Sequence, residues 1–201
     1  MMILRHSPAS PFVRKVKIAA EVLGLADRIE VQDADTVAPE AAFLAQNALG
    51  KIPTLVLEDG TTLFDSRVIV EYLDHLAGGG RVLPKEPTAR FAALRLQALS
   101  DGILDAALLI VYEGRYREPP MRLQSWLDRQ HDKIGRALAV LEASPPDQTD
   151  VPDIGQITLA CALGYLDLRL AGAWRKDYPR LVAWLDRFAA RVPAFARTKP
   201  A

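Results

Sequence analysis

Ser10 stands where a short apolar run, Met2 to Leu4, gives way to a helical pattern, in the stretch S-P-A-S-P-F-V-R-K-V-K-I. Pro11 follows it, and proline suits the first helical position, where its missing N–H costs nothing. A hydroxyl at such a junction has two uses. It can accept from a free amide as an ordinary N-cap, worth ~1 kcal/mol. It can instead face a ligand, beside a helix N-terminus whose free amides and dipole favour negative charge. Ser7 places a second hydroxyl in the same loop. Asp65-Ser66 offers the same two options at another helix start, ahead of the apolar pattern Val68 to Leu76. A third feature is the X-Pro step Ile52-Pro53 just before a strand signal. X-Pro bonds are cis in only ~5–6% of cases, so the dipeptide alone says little.

Other reactive residue types are poorly placed for chemistry. Cys161 sits in an apolar helical run and reads as a small core residue. His6, His75 and His131 have no metal-ligand spacing, so no metal is expected. Tyr112 and Tyr116 lie one helical turn apart, which suits either ordinary core and surface aromatics or the wall of a pocket.

The elements that must position these residues fall into two groups. Met2 to Leu4 and Ile29 to Gln32 read as buried strands around a helix that carries Val13, Val16, Ala20 and Leu23 and stops at Gly24. Pro39 to Ala45 reads as a short helix, Thr54 to Leu57 and Thr61 to Phe64 as a hairpin turning on Glu58-Asp59-Gly60, and Val68 to Leu76 as a third helix. The order βαβ-α-ββα is that of a thioredoxin-like domain. The glycines and prolines of A-G-G-G-R-V-L-P-K-E-P, Ala77 to Pro87, then break any regular element. Beyond them only helices are expected: Phe91 to Tyr116, a stripe of Trp126, Ile134, Ala137 and Leu141, an apolar Ile157 to Leu166, and Leu181 to Val192. D-I-G-Q, Asp153 to Gln156, fits a capping box in which aspartate accepts from an amide and glutamine reaches back. The expected architecture is thus an α/β thioredoxin-like N-terminal domain over 1–76, a linker over 77–87 and an all-α helical bundle over 88–201.

Composition narrows the partners. With 201 residues, half of them hydrophobic, the chain can bury a sizeable core. Twenty-five basic residues balance 25 acidic ones, which speaks against nucleic acid and against an acidic membrane surface as partners. The first 76 residues are mildly acidic and the remainder mildly basic, in keeping with a boundary between them. A single cysteine permits no intrachain disulfide and suits a reducing compartment, so a cytoplasmic protein is expected. Arg5 and His6 interrupt the place of a secretory core, and Asp167 and Arg169 interrupt the longest apolar helix, so neither export nor a membrane span is expected.

With S-P-F-V-R-K near its start, G-K-I-P-T-L in the middle and F-D-S-R-V-I before the linker, the chain resembles the cytosolic glutathione S-transferases over its whole length. Together with A-L-S-D-G-I-L-D-A, Ala98 to Ala106, the first motif looks most like the bacterial YibF-like subgroup. The resemblance implies glutathione as co-substrate and a small electrophile as the second substrate. It implies that Ser10 activates the thiol, where the redox members of the fold carry a cysteine, and that Phe12 flanks the site. It implies a cis Ile52-Pro53 bond, with the Ile52 backbone pairing with the cysteinyl unit as an added strand would. Lys51 would meet the glycine carboxylate. The Ser66 hydroxyl and the amides around it would hold the γ-glutamyl carboxylate, with Asp65 on its ammonium. Asp65 departs from the glutamate or glutamine common in the family. The electrophile would lie between Ser10, Phe12 and the helix bearing Tyr112 and Tyr116. A homodimer is implied, formed through the third helix and the first helix of the bundle. In some relatives an acid at the place of Asp101 reaches the partner's γ-glutamyl group, but Asp101 itself is expected on a solvated helix face. A glutathione-dependent isomerase or lyase, and a non-enzymatic protein-binding scaffold, remain alternatives to transfer.

Overall fold

The computed structural model describes residues 1–200. Strand β1 (Met2–His6) lies inside a four-stranded sheet of order β2-β1-β3-β4, with β2 at Ile29–Asp33, β3 at Thr54–Val56 and β4 at Thr62–Leu63. β1 pairs in parallel with β2 and antiparallel with β3, and the hairpin β3–β4 turns through Asp59-Gly60 as expected. Helices α1 (Pro11–Leu23), α2 (Ala41–Gln46) and α3 (Ser66–Leu76) complete the mixed-sheet N-terminal domain. Its thioredoxin-like order βαβ-α-ββα matches the one expected. The strands of the sheet and the loops between them deliver Ser10, Ile52 and Asp65 to neighbouring connections.

Helix α1 shows how local chemistry sets an element. Ser10 is its N-cap, with Oγ accepting from Val13 N at 3.3 Å, and Pro11 opens the first turn. Gly24 ends it at φ 73°, where a side chain would be strained, while the Leu25 amide reaches back to the Ala20 carbonyl at 2.8 Å. Val13, Val16 and Ala20 point into the core.

The remainder is helical: α4 (Pro87–Tyr116), α5 (Gln124–Ala143), α6 (Ile154–Arg169), α7 (Pro179–Arg191) and the short α8 (Pro193–Arg197). α4 starts at Pro87, earlier than the apolar pattern suggests, because the Glu86 carboxylate accepts from both Thr88 N and Ala89 N as a cap. α6 is buried nearly all round, as its sequence implied, and packs against α4 and α1. The approach is close at Gly155, where a Cβ would stand 2.7 Å from the Ala93 carbonyl oxygen. Cys161 lies fully buried in this helix, and burial pushes its thiol up to about 12, which leaves it without nucleophilic character near neutral pH.

The capping box at α6 forms only in part. Asp153 accepts from Gln156 N at 2.9 Å, but the Gln156 amide does not reach back. It donates to the Asp147 carbonyl at 2.9 Å and to Thr149 Oγ1 at 3.1 Å, and so pins the preceding loop instead. Between α3 and α4 the chain is ordered rather than loose. The buried Asp74 carboxylate accepts from Gly80, Arg81 and Val82 amides at 2.7–2.9 Å. Val82 and Leu83 insert into the core, and the Val82 carbonyl accepts from Ile154 N at 2.8 Å.

Two adjacent basic residues of α1 join the sheet domain to the bundle. The buried Arg14 donates to the Phe195 carbonyl at 2.6 Å and lies 4.0 Å over the Phe195 ring. Lys15, fully buried, donates to Asp101 of α4 at 2.7 Å. Among the described residues no helix is long and apolar enough to cross a membrane, and no three His, Cys, Asp or Glu side chains gather as they would around a metal ion.

Candidate active site

A cavity of about 680 Å³ opens where the loops of the sheet domain face α4 and the end of α6. Its size is within the ordinary range for a small-molecule site. Every residue singled out from the sequence as a site candidate lines it. Ser10 and Phe12 form one wall, with Ser7 beside them, and Lys51, Ile52 and Pro53 form the next. Asp65 and Ser66 supply the third, and Tyr112 and Tyr116 of α4 the fourth. A shallower cleft of about 420 Å³ over Pro145, Pro146, Arg180 and Arg187 contains none of them.

The loop before α1 folds so that the Ser10 amide donates to the Ser7 carbonyl at 3.0 Å. The Ser10 hydroxyl accepts from Val13 N, yet a hydroxyl can also donate, and its hydrogen is not engaged by any described residue. Capping and ligand contact are therefore compatible uses of one side chain.

The Ile52-Pro53 bond is cis. Neither the N–H nor the C=O of Ile52 pairs with another described residue, so both are available at the cavity edge. The loop is shaped by Asn47, a buried residue the sequence reading missed. Its amide donates to the Lys51 carbonyl and to Thr54 Oγ1, both at 2.9 Å, and its side-chain oxygen accepts from Leu49 N at 3.0 Å.

At α3, Asp65 caps the helix by accepting from Arg67 N at 2.9 Å. Ser66 opens the first turn, almost fully buried, and its hydroxyl has no hydrogen-bond partner among the described residues. Free amides and an unengaged hydroxyl thus sit together at a helix N-terminus.

Asp101 corrects the expectation of a solvated helix face. Its carboxylate is 1% exposed and bridges Lys15 Nζ at 2.7 Å and Arg67 Nε at 2.9 Å. Lys15 reaches it from α1 and Arg67 from α3, and the two cations supply the counter-charge that makes burial tolerable. Neither cation is near Asp101 in sequence, so spacing could not reveal the pairing. One turn along, burial and the Asp101 charge hold the Asp105 carboxyl above the usual carboxylate range.

The remaining residues missed from sequence lie further along the same wall. Asp105, Leu108 and Arg115 fall at helical spacing with the expected Tyr112 on α4, and Tyr165 and Arg169, one turn apart on α6, line the same cavity. The spacing on α4 was a usable signal, since it simply extends the Tyr112–Tyr116 stripe in both directions. Tyr112 and Tyr116 meet edge to face with ring centroids 5.3 Å apart.

Residues 9–76 match the family model "Glutathione S-transferase, N-terminal domain", and residues 124–187 match "Glutathione S-transferase, C-terminal domain". An uncharacterised GST-like protein, YibF of Escherichia coli strain K12, is 36% identical over 203 aligned residues, 99% of this chain and 98% of that one. The chain belongs to the glutathione S-transferase family. A glutathione transferase family member from Pseudomonas fluorescens Pf-5, solved with bound glutathione, superposes with a TM-score of 0.91 at 44% identity and full coverage of both chains. The same kind of protein from that organism was also solved with S-(propanoic acid)-glutathione, at a TM-score of 0.87 and 42% identity, again over the whole of both chains. A glutathione S-transferase from Methylobacillus flagellatus KT with glutathione bound gives 0.89 at 36% identity, likewise covering both chains fully. The present chain carries serine, not tyrosine or cysteine, at the cap of α1.

Proposed function

We propose that the protein is a serine-type glutathione transferase, in which Ser10 stabilises the glutathione thiolate for attack on a small electrophile. The observation that carries this reading is the convergence on one cavity of a hydroxyl with a free hydrogen, an unpaired backbone N–H and C=O, and the unengaged Ser66 hydroxyl at the start of α3. These are the groups a γ-glutamyl tripeptide with a thiol would need. Relatives solved with glutathione, and one with a propanoic acid group on its sulfur, agree with it.

The chemistry follows from the residues. A free thiol of pKa ~8.5 is only a few per cent ionised at neutral pH. Donation from Ser10 and the positive end of α1 both favour the anion. The Ile52 backbone pairs with the cysteinyl unit and fixes where the sulfur lies, which converts attack into a positioned event. Ser66 and the amides beside it take the γ-glutamyl carboxylate, Asp65 its ammonium, and Lys51 the glycine carboxylate. Phe12 and Tyr112 offer apolar walls for the electrophile. The thiol proton leaves to solvent, and as the thiolate sulfur bonds to the electrophilic carbon either a leaving group departs with its electron pair or, in a conjugate addition, the carbon–carbon π bond opens and the adjacent carbon takes a proton from water. We place the protein in the cytoplasm, in keeping with its lone buried thiol.

Ser66→Ala should weaken glutathione binding by ~1–3 kcal/mol, the usual cost of losing a hydrogen bond to a charged group. Calorimetric titration checks it, with free cysteine as competitor. Equal affinity for cysteine and glutathione in the wild type, or an unaltered affinity in the variant, would place the γ-glutamyl group elsewhere.

We also propose a homodimer across α3 and α4, where the apolar Val68 and Phe91 stand 46% and 69% exposed. Light scattering at micromolar concentration should give the mass of two chains, and a mass of one chain would remove the dimer.

A further inference from the structure

The cavity is divided by charge along α4. At one end Asp101 and Asp105 face Arg67 and the start of α3, the end assigned above to the γ-glutamyl group. Leu108, Leu109 and Tyr112 make the middle apolar. The other end is basic. Arg115 follows Asp101 by about 21 Å of helix axis at 1.5 Å per residue, and Arg169 reaches the same end from α6.

Of the cations that line the cavity, Lys51 is assigned above to the glycine carboxylate, and Arg115 and Arg169 are left with no counter-charge. Arg67 is paired with Asp101. Neither Arg115 nor Arg169 has a carboxylate partner among the described residues. The nearby acids are engaged elsewhere. Glu113 accepts from Arg117 at 2.8 Å and from Leu123 N at 3.1 Å, and Asp167 accepts from Trp174 Nε1 and Arg175 at 2.7–2.9 Å. Arg115 is oriented by the Tyr112 ring, 5.8 Å from its guanidinium carbon to the ring centroid. Burial pushes the Tyr165 hydroxyl up, and the charges of Arg169 beside it and of Arg115 oppose that shift. Two forked donors thus stand at one end of an apolar channel with no protein carboxylate on either.

We propose that the electrophile taken by this cavity carries a carboxylate, bound by Arg115 and Arg169 with the Tyr165 hydroxyl between them, an inference that rests on the glutathione-transferase reading above. Guanidinium groups favour a planar carboxylate because their N–H donors match its two oxygens. Tyr112 and Leu108 would then cover a short apolar spacer between the carboxylate and the carbon that meets sulfur. Neutral electrophiles would leave the two cations without an anionic partner, and the site favours a carboxylate over them on that ground.

The test compares two conjugates that differ only in charge, S-(2-carboxyethyl)glutathione and its neutral isostere S-(2-carbamoylethyl)glutathione, by calorimetric titration of the full chain beside unsubstituted glutathione. No turnover is needed. The wild type should bind the carboxylate conjugate about tenfold or more tightly than the amide, the effect of hydrogen bonds to a charged group. In Arg115→Gln/Arg169→Gln the two conjugates should converge to within about twofold, while Arg115→Lys/Arg169→Lys should keep part of the preference by charge alone. Both arginines are exposed at the rim, so the substitutions spare the core. Equal affinities in the wild type would overturn the proposal, and that arm needs no variant. A preference that survives in the double Gln variant would overturn it too. Glutathione itself serves as the separate readout: if it binds while the conjugates show no difference, only the carboxylate site fails, and if it does not bind, the transferase reading falls and this one with it.

Discussion

Replacing Asp101 by alanine is expected to cost about 3–5 kcal/mol of folding stability, the penalty for leaving a buried charge uncompensated. Lys15 is fully buried and its ammonium donates to Asp101 at 2.7 Å. Remove the carboxylate and that cation stays buried where α1 meets the bundle, with its ion-pair partner gone and the Phe12 ring 5.6 Å away. Arg67, half exposed, can turn to water and contributes little to the loss. Urea unfolding checks the figure. The double replacement Lys15→Met/Asp101→Leu separates the cause, because it removes both charges and keeps the volume. It should recover most of the loss or exceed the wild type, as apolar replacement of buried pairs often does. A loss below about 1 kcal/mol in Asp101→Ala would show that water reaches Lys15 and that the two domains are not joined through this pair.

The second large effect is expected at Ser10, where one hydroxyl has two uses. Ser10→Ala should lower stability by ~1 kcal/mol through loss of the cap on Val13 N. The variant should still bind glutathione, since the Ile52 backbone and the start of α3 are untouched. Its bound thiol should climb back toward ~8.5, and each unit of that rise removes ~1.36 kcal/mol of thiolate stabilisation. Once the thiol pKa exceeds the assay pH, each further unit costs about tenfold in thiolate and hence in rate. The sign is specific: the loss is greatest near neutral pH and vanishes as pH rises above ~8.5, where glutathione ionises unaided. Thiolate absorbance against pH, with Ser7→Ala beside it, measures this directly. A raised thiol in Ser7→Ala alone would transfer the role to Ser7. An unmoved thiol in both would leave the N-terminus of α1 as the activator.

Much of the fold was legible because it is encoded locally. The Ser10-Pro11 start and Gly24 stop of α1, the Glu58-Asp59-Gly60 turn and the all-round apolar character of α6 each follow from a few neighbouring residues. The site candidates were legible for a related reason. Ser10, Ile52-Pro53 and Asp65-Ser66 each sit at a junction between elements, and junctions are where backbone groups and hydroxyls are left free to meet a ligand.

What stayed hidden depends on pairings across long separations. A sequence shows Asp101 as one polar residue on a helix. Only packing brings Lys15 and Arg67 to it from two other helices, and burial then turns a solvated face into a charged joint between domains. Gln156 likewise fits a capping box by spacing, yet the fold offers it the Asp147 carbonyl and Thr149, and it takes those. Arg115 and Arg169 stand fifty-four positions apart, and nothing local marks them as a pair. The amino-acid sequence by itself determined the two kinds of domain, the element order and the hydroxyls at the helix starts, because capping, turn chemistry and hydrophobic period act within a few residues. Which charges are neutralised and which are left facing the cavity was decided only by the tertiary structure, because electrostatic energy depends on distance and burial in space, and the chain does not carry either in its order.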